Sequence, residues 1–212
     1  MKRVMLGILI VAALTADAAR AQTWRHVPKV VVVSPADDSR LQAVNEAVAY
    51  WNRTLQEMGS GFRLGPVVRM VRSIPEEALQ QLSTSVLGNR GRTADFPATL
   101  RDLPGDITIF LAASEFVSFA SPFNENGKRI VGIRGTSFPP MNLPNVPRNV
   151  IAHELGYAIG LRHNTDPTTL MCGRPSLCRP ALFRSDQPRM FPLTAVEKSW
   201  LLAMYPAQWK SR

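Results

Sequence analysis

The segment HELGYAIGLRH restricts the fold of this 212-residue chain more than any other stretch of its sequence. It runs from His153 to His163 and contains no proline. Apolar residues within and beside it recur at helical spacing, so we predict a helix over residues 150–161. Residues four apart in a helix point the same way, which directs His153 and Tyr157 to one region. Gly160 would end the helix and allow His163 to return to that region.

This arrangement is typical of a catalytic zinc site. In such a site three protein ligands leave a fourth position for water, and a nearby carboxylate takes the proton of that water. The chain has only three histidines, and His153 and His163 are two of them. A single helical histidine is more often an ordinary core or surface residue. The joint pattern of His153, Glu154, Gly160 and His163 therefore favours a metal site.

The spacing His-Glu-x-x-Tyr-x-x-Gly-x-x-His resembles the signature of the metzincin superfamily of zinc endopeptidases, and most closely its matrixin-like branch. The family signature is H-E-x-x-H-x-x-G-x-x-H, followed by a turn that contains a methionine. Met171, in the segment TTLMCG, follows His163 by eight residues and stands where that Met-turn would be. Tyr157 occupies the position of the second histidine of the family. The resemblance covers residues 27–206.

The resemblance implies a role for each residue that matches the signature. His153 and His163 would bind Zn²⁺, and Tyr157 would stand in the place of the third protein ligand. Glu154 would be the general base that activates the metal-bound water in peptide hydrolysis. Met171 would lie beneath the metal as a packing residue without a bond to it, which is also what a core methionine would do.

The resemblance also implies a zincin-like α/β (α+β) fold. Its parts would be a twisted, mostly parallel sheet with an antiparallel edge strand, the active-site helix, the Met-turn and a C-terminal helix over residues 194–205. A protein or peptide substrate would pair with an exposed strand edge, main chain to main chain. The segment RIVGIRG, residues 129–135, is our candidate for that edge.

Tyr157 leaves three alternatives for the metal. A tyrosine binds metal as the phenolate, and its ordinary pKa near 10 would have to be lowered by the metal itself. Its oxygen also reaches about 2 Å farther than a histidine nitrogen, while zinc–oxygen bonds are about 2.0–2.2 Å long. Tyr157 therefore binds directly, or turns aside so that two histidines and solvent hold a loosely bound metal. In the third alternative the site is empty, and the protein is a catalytically silent peptide-binding relative.

The sequence outside this segment predicts one α/β domain. β-branched and alternating apolar runs indicate strands, and apolar residues at steps of three and four indicate helices. Residues 84–104 are predicted to be a surface loop, because they contain two glycines and two prolines and show little periodicity. The predicted strands cover residues 27–33, 62–72, 106–113 and 129–135, and the predicted helices lie between Ser39 and Gly59 and over residues 75–82.

Residues 1–21 have the features of a secretory signal peptide. They contain a basic start at residues 2–3, an apolar run over residues 4–14 and a small-x-small site ending at Ala21. We therefore predict a secreted or periplasmic protein in which residues 22–212 form a single metzincin-like domain. No stable membrane insertion is expected after cleavage, and the alternative is an uncleaved membrane anchor.

Export would place Cys172 and Cys178, six positions apart, in an oxidising compartment. We predict a disulfide between them, and the alternative is two reduced thiols. The net charge of +9 would attract acidic polymers. The basic residues are scattered, however, so we expect no nucleic-acid partner. The main alternative to the endopeptidase is the catalytically silent peptide-binding protein, and a basic exported protein that binds anionic polymer without metal is a further alternative. The sequence indicates no oligomeric state.

Overall fold

The structure, a computed structural model, describes residues 23–90, 92–173 and 187–212. The predicted signal peptide, residues 1–21, lies outside the described residues. Strands and helices alternate in the first part of the described chain, and three strands followed by two helices make up the rest. In chain order the elements are β1 (Val30–Val33), α1 (Arg40–Glu57), β2 (Val67–Met70), α2 (Glu76–Gly88), a 3₁₀ helix (Ala98–Leu100), β3 (Ile107–Leu111), β4 (Phe119–Ala120), β5 (Arg129–Ile133), α3 (Asn145–Ala158) and α4 (Ala195–Met204).

Five strands form one mixed sheet in the order β2-β1-β3-β5-β4. All neighbouring strands are parallel except β4, which pairs antiparallel with β5 at one edge. Every residue of β1, β3 and β5 is buried, because helices cover interior parallel strands on both faces. The predicted α/β fold with a mostly parallel sheet and an antiparallel edge strand is therefore confirmed.

The position of β5 corrects one prediction. We expected residues 129–135 to form an exposed edge, but β5 lies between β3 and β4 and pairs with both. The edge strand beside it is β4, only two residues long, which the sequence pattern did not reveal. A strand this short carries no measurable alternation, so periodicity could not have detected it.

The two faces of the sheet have separate apolar cores. Val30 and Val32 of β1 face α1, α3 and α4, whereas Val31 and Val33 face α2. This alternation follows from the two-residue period of a strand. The larger core therefore lies on the face that carries the segment from His153 to His163, and α1 packs along α3 within it.

Helix α3 begins at Asn145, five residues before the predicted start. Pro147 lies in the first turn of this helix, although a proline in the interior of a helix would interrupt it. The amide groups of that turn have no partner within the helix, so a proline is tolerated there. Trp51 of α1 fixes the middle of α3, since its indole N–H donates to the carbonyl oxygen of Ala152 at 2.8 Å.

Two further boundaries differ from the predictions. Helix α2 continues to Gly88, and residues 98–100 form a 3₁₀ turn, so residues 84–104 are only in part a loop. The second strand occupies only Val67–Met70 of the predicted range 62–72. Among the described helices, none combines the length and the apolar character needed to traverse a lipid bilayer.

Candidate metal centre

Helix α3 carries His153 and Tyr157 one turn apart, and both side chains contact His163 through their rings. His153 is buried, with 1% of its surface exposed, while Tyr157 is half-buried and His163 is exposed. The sequence spacing predicted this convergence. It depends on the way the helix ends, because His163 lies beyond α3.

Gly160 ends the helix in the left-handed region, with φ +104°. Its amide donates to the carbonyl oxygen of Tyr157 at 2.9 Å, and the amide of Leu161 donates to that of Gly156 at 3.0 Å. These two bonds form a Schellman motif, in which glycine is favoured because it has no Cβ. The motif turns the chain back, so that His163 comes to lie beside the helix.

The rings of His153, Tyr157 and His163 form a nearly equilateral triangle. The centroid of His153 lies 5.2 Å from that of Tyr157 and 5.3 Å from that of His163. The centroids of Tyr157 and His163 are 4.8 Å apart. Two imidazoles bound to one zinc at about 2.0–2.1 Å place their centroids roughly 5 Å apart. The two histidines therefore have the separation of rings that share a metal, and Tyr157 occupies the third corner.

The orientation of His153 is set by a backbone carbonyl. Its Nδ1 lies 2.7 Å from the carbonyl oxygen of Leu170, which can only accept a hydrogen bond. The ring proton is therefore on Nδ1, and the lone pair is on Nε2. Histidines that bind metals have such a second bond, which fixes the tautomer and the ring plane.

Met171, the residue after Leu170, lies directly against α3. Its side chain is fully buried, and a Cβ built at Gly156 would come within 2.5 Å of its Sδ and 2.9 Å of the Trp51 ring. Glycine at position 156 therefore allows Met171 and Trp51 to pack against the helix between His153 and Tyr157. This is the packing position that the sequence assigned to Met171.

The chain from His163 to Gly173 folds into a short loop that closes on itself. The amide of Asn164 donates to the carbonyl oxygen of Met171 at 3.0 Å, and the amide of Gly173 donates to that of Asn164 at 3.2 Å. The side-chain amide of Asn164 also donates to the carboxylate of Glu197 at 2.6 Å. The loop that carries His163 is thus tied both to the Met-turn and to α4.

Glu197 both forms a capping box at the start of α4 and bonds to this loop. Its backbone amide donates to the hydroxyl of Thr194 at 3.1 Å, and its carboxylate accepts the Thr194 amide at 2.7 Å. The other carboxylate oxygen accepts the bond from Asn164. Only 1% of Glu197 is exposed, so these bonds satisfy a buried carboxylate at the start of the helix.

Glu154 is buried, with 5% of its surface exposed. The alternative that it is simply an exposed residue of the helix is therefore wrong. It follows His153 directly in α3, in the position that the resemblance assigns to the general base. Cys172 is 1% exposed and lies within the loop from His163 to Gly173, whereas Cys178, its predicted disulfide partner, lies outside the described residues. The disulfide stays a prediction.

Gly173 determines where the His163 ring can lie. A Cβ at position 173 would fall 1.7 Å from Cδ2 and 2.0 Å from Nε2 of that ring. We therefore expect Gly173→Ala to displace the ring and to weaken zinc binding by about 10–100-fold, as loss of other groups that orient ligands does. The dissociation constant for zinc, measured by competition with a chromophoric chelator, tests this.

A suitable control is Gly88→Ala, since a Cβ at Gly88 meets no atom within 4 Å. This variant should bind zinc as the unmodified protein does. Equal zinc affinity in Gly173→Ala and Gly88→Ala would contradict the role of Gly173.

The donor set limits what the site can bind. Within residues 23–90, 92–173 and 187–212, no three His, Cys, Asp or Glu side chains are grouped so that they could hold a metal ion. A metal bound by His153 and His163 would thus need Tyr157 or solvent as a further ligand. The sequence did not predict the contributions of Leu170, Gly173 and Glu197. Of these three residues, only Gly173 could have been noticed in the sequence, because a glycine lies two residues after Met171.

Comparison with known proteins finds similarity in structure but not in sequence. No protein-family model matches the sequence, and no curated protein matches it. The structure is similar to the crystal structure of archaemetzincin from Methanopyrus kandleri, with a TM-score of 0.43 and 16% sequence identity. The match covers 85% of this chain and 96% of the archaemetzincin chain.

Proposed function

We propose that this protein is a zinc-dependent endopeptidase whose metal ligands are His153, Tyr157 and His163. The observation that carries the proposal is the bond from Nδ1 of His153 to the Leu170 carbonyl, at 2.7 Å. It leaves the lone pair of the neutral imidazole on Nε2, in a buried histidine whose ring is contacted by those of Tyr157 and His163. An ordinary core histidine needs no such convergence.

The residues fit zinc in two respects. The centroid separation of 5.3 Å between His153 and His163 matches that of two imidazoles on one zinc. A nitrogen, nitrogen and oxygen donor set is also within the range that zinc accepts, because carboxylate and imidazole ligands are common. Tyr157 would supply the oxygen as phenolate, which makes the metal site less positive than a three-histidine site.

Glu154 would be the proton acceptor. Zinc, when held by these side chains, supplies a Lewis acid that polarises the scissile carbonyl and makes water more acidic. The carboxylate of Glu154 takes the proton from the attacking water and returns it to the leaving amine.

A peptide substrate would dock on the free edge of β4. This strand is the antiparallel edge of the sheet, and it also packs against α3, which carries the site. An extended peptide that pairs with β4 would therefore pass close to the metal centre. Main-chain pairing of this kind tolerates many sequences, as an endopeptidase requires.

We further propose that the protein acts outside the cytoplasm, after removal of residues 1–21. The basic and apolar pattern of that segment supports export. A disulfide between Cys172 and Cys178 would then close a small loop next to the Met-turn. No nucleic-acid partner is proposed, because the positive charge of the chain is dispersed.

The test is the zinc content of residues 22–212 after exhaustive dialysis without chelator, with Tyr157→His measured in parallel. We expect near one zinc per chain in both proteins. Zinc in Tyr157→His alone would overturn the proposal and leave a silent peptide-binding protein. Zinc in neither would leave the metal-independent, polymer-binding alternative. Cleavage of an unfolded protein substrate by the zinc-loaded protein would then separate an enzyme from a metal-binding protein without activity.

A further inference from the structure

Three side chains from distant parts of the chain donate hydrogen bonds to consecutive carbonyl groups at the end of α3. They come from the segment before β1, from the start of β5 and from the end of α4. We call these three residues the carbonyl clamp. The bonds run from Nη1 of Arg129 to the Tyr157 oxygen at 2.9 Å, from Nε1 of Trp24 to the Ala158 oxygen at 2.8 Å, and from Oη of Tyr205 to the Ile159 oxygen at 2.9 Å.

The carbonyl clamp is buried and internally connected. The exposed fractions are 6% for Arg129, 3% for Trp24 and 0% for Tyr205. The backbone amide of Trp24 donates to Oη of Tyr205 at 3.3 Å. Phe123 packs between Arg129 and Trp24. The Arg129 guanidinium lies 4.1 Å from the centroid of its ring, and the Trp24 ring meets it edge-on with a centroid distance of 4.8 Å. The last turn of α3 therefore rests on one packed unit.

Ending a helix does not require such a unit. The Schellman bonds at Gly160 already turn the chain, and water can satisfy the remaining carbonyl groups of a helix end. Burying the guanidinium group of Arg129 also costs free energy, because Arg129 forms no salt bridge within the described part of the chain. Burial lowers the pKa of Arg129 to about 10, so it remains charged at neutral pH. The negative end of the helix dipole offsets only part of this desolvation.

Along the chain, the three clamped carbonyl groups belong to the segment that connects Tyr157 to His163. Tyr157 is the first clamped residue, and His163 follows the last one after a single turn of chain. His153, in contrast, is oriented separately by the Leu170 carbonyl. A displacement of the last turn of α3 would thus move Tyr157 directly, while the bonds of Asn164 to Met171 and Glu197 would hold the His163 loop, so the separations between the three rings would change.

We propose that Arg129, Trp24 and Tyr205 are positioning residues of the metal site, which hold Tyr157 and His163 at bonding separation from His153. This inference rests on the proposed zinc site. It predicts that loss of a single clamp bond weakens metal binding even where the protein remains folded. A role in stability alone would lower the melting temperature and leave the affinity of the folded protein for metal unchanged.

Two variants remove one donor each: Tyr205→Phe keeps the ring, and Trp24→Phe keeps an aromatic side chain of smaller size. Tyr205→Phe loses the hydroxyl group, and Trp24→Phe loses the indole N–H. We expect each to raise the dissociation constant for zinc by about 10–100-fold, the usual effect of losing a group that orients ligands. The dissociation constant is measured by chelator competition, and the absorption bands of bound Co²⁺ report any change in coordination. If Tyr205→Phe fails to fold, Trp24→Phe and Arg129→Lys still test the proposal.

The matched control is Ser83→Ala. Ser83 is 2% exposed and donates its hydroxyl to the Val117 carbonyl oxygen at 2.8 Å, on the opposite face of the sheet. This variant should lose stability but keep the zinc affinity and Co²⁺ spectrum of the unmodified protein. Unchanged zinc affinity in the clamp variants, with a lowered melting temperature, would overturn the inference and leave the zinc site intact. Absence of zinc from the unmodified protein would overturn the proposed function, and the inference with it.

Discussion

Replacing Glu154 with glutamine is expected to lower kcat/KM for peptide hydrolysis by about 10²–10⁴-fold, the usual contribution of a general base. Glutamine has nearly the same shape as glutamate, but its amide cannot take up a proton at neutral pH. Because Glu154 is 5% exposed, a substituent of equal volume is needed to keep the packing of α3. The variant should retain one zinc per chain, since Glu154 is not a proposed ligand. Cleavage rates and zinc content, measured on the same sample, test both statements.

Glu57→Gln is the control for this substitution, because Glu57 is an exposed residue at the end of α1. It should leave both the cleavage rate and the zinc content unchanged. Full activity in Glu154→Gln would show that another group takes the proton. Loss of zinc from Glu154→Gln would show instead that Glu154 contributes to metal binding.

Tyr157→Phe is expected to raise the dissociation constant for zinc by about 100-fold or more. The benzene ring can keep its corner of the triangle, 5.2 Å from His153 and 4.8 Å from His163, so only the oxygen is removed. Loss of a group that merely orients a ligand already costs 10–100-fold in affinity, and the loss of a ligand should cost more. Chelator competition at neutral pH provides the measurement.

A second half-buried tyrosine provides the comparison. The hydroxyl of Tyr50 donates to the carbonyl oxygen of Phe191 at 2.9 Å and contacts none of the three rings. Tyr50→Phe should therefore lower stability by about 0.5–1.5 kcal/mol, the net contribution of one hydrogen bond, without weakening zinc binding. Equal zinc affinity in Tyr157→Phe and Tyr50→Phe would rule out direct ligation. It would support the arrangement in which two histidines and solvent hold the metal.

Apolar periodicity was sufficient to predict the elements of the large core. Val44, Val48, Trp51 and Leu55 recur at helical steps and are all buried in α1. The β-branched run that ends at Val33 forms the fully buried strand β1. In these segments the sequence pattern and the tertiary environment require the same side chains, so local reasoning succeeds.

Prediction failed where position in the fold, rather than composition, decides the outcome. A proline interrupts a helix in its interior but is tolerated in the first turn. The sequence alone did not show which of these positions Pro147 holds. Whether β5 is an interior or an edge strand depends on β4, a two-residue strand contributed by another segment. Such pairings between segments leave no periodic signal.

The candidate site shows the same division. The spacing of His153, Tyr157 and His163 predicted that three rings would meet, because helix geometry and a glycine turn determine it. The bond from His153 to the Leu170 carbonyl and the carbonyl clamp could not be predicted. They join groups that are distant along the chain, and backbone carbonyl groups carry no mark in a sequence.

The bond between Glu197 and Asn164 has a consequence for the time at which the protein acquires metal. Glu197 follows Asn164 by 33 positions, so the ribosome adds it well after both histidines of the site. Until α4 has formed, the loop that bears His163 lacks the bond from Asn164 to Glu197. A nascent chain that ends before α4 therefore holds an incomplete site, since metal binding and folding are coupled. Metal loading of the proposed site would thus follow completion of the polypeptide rather than formation of the helix that carries His153.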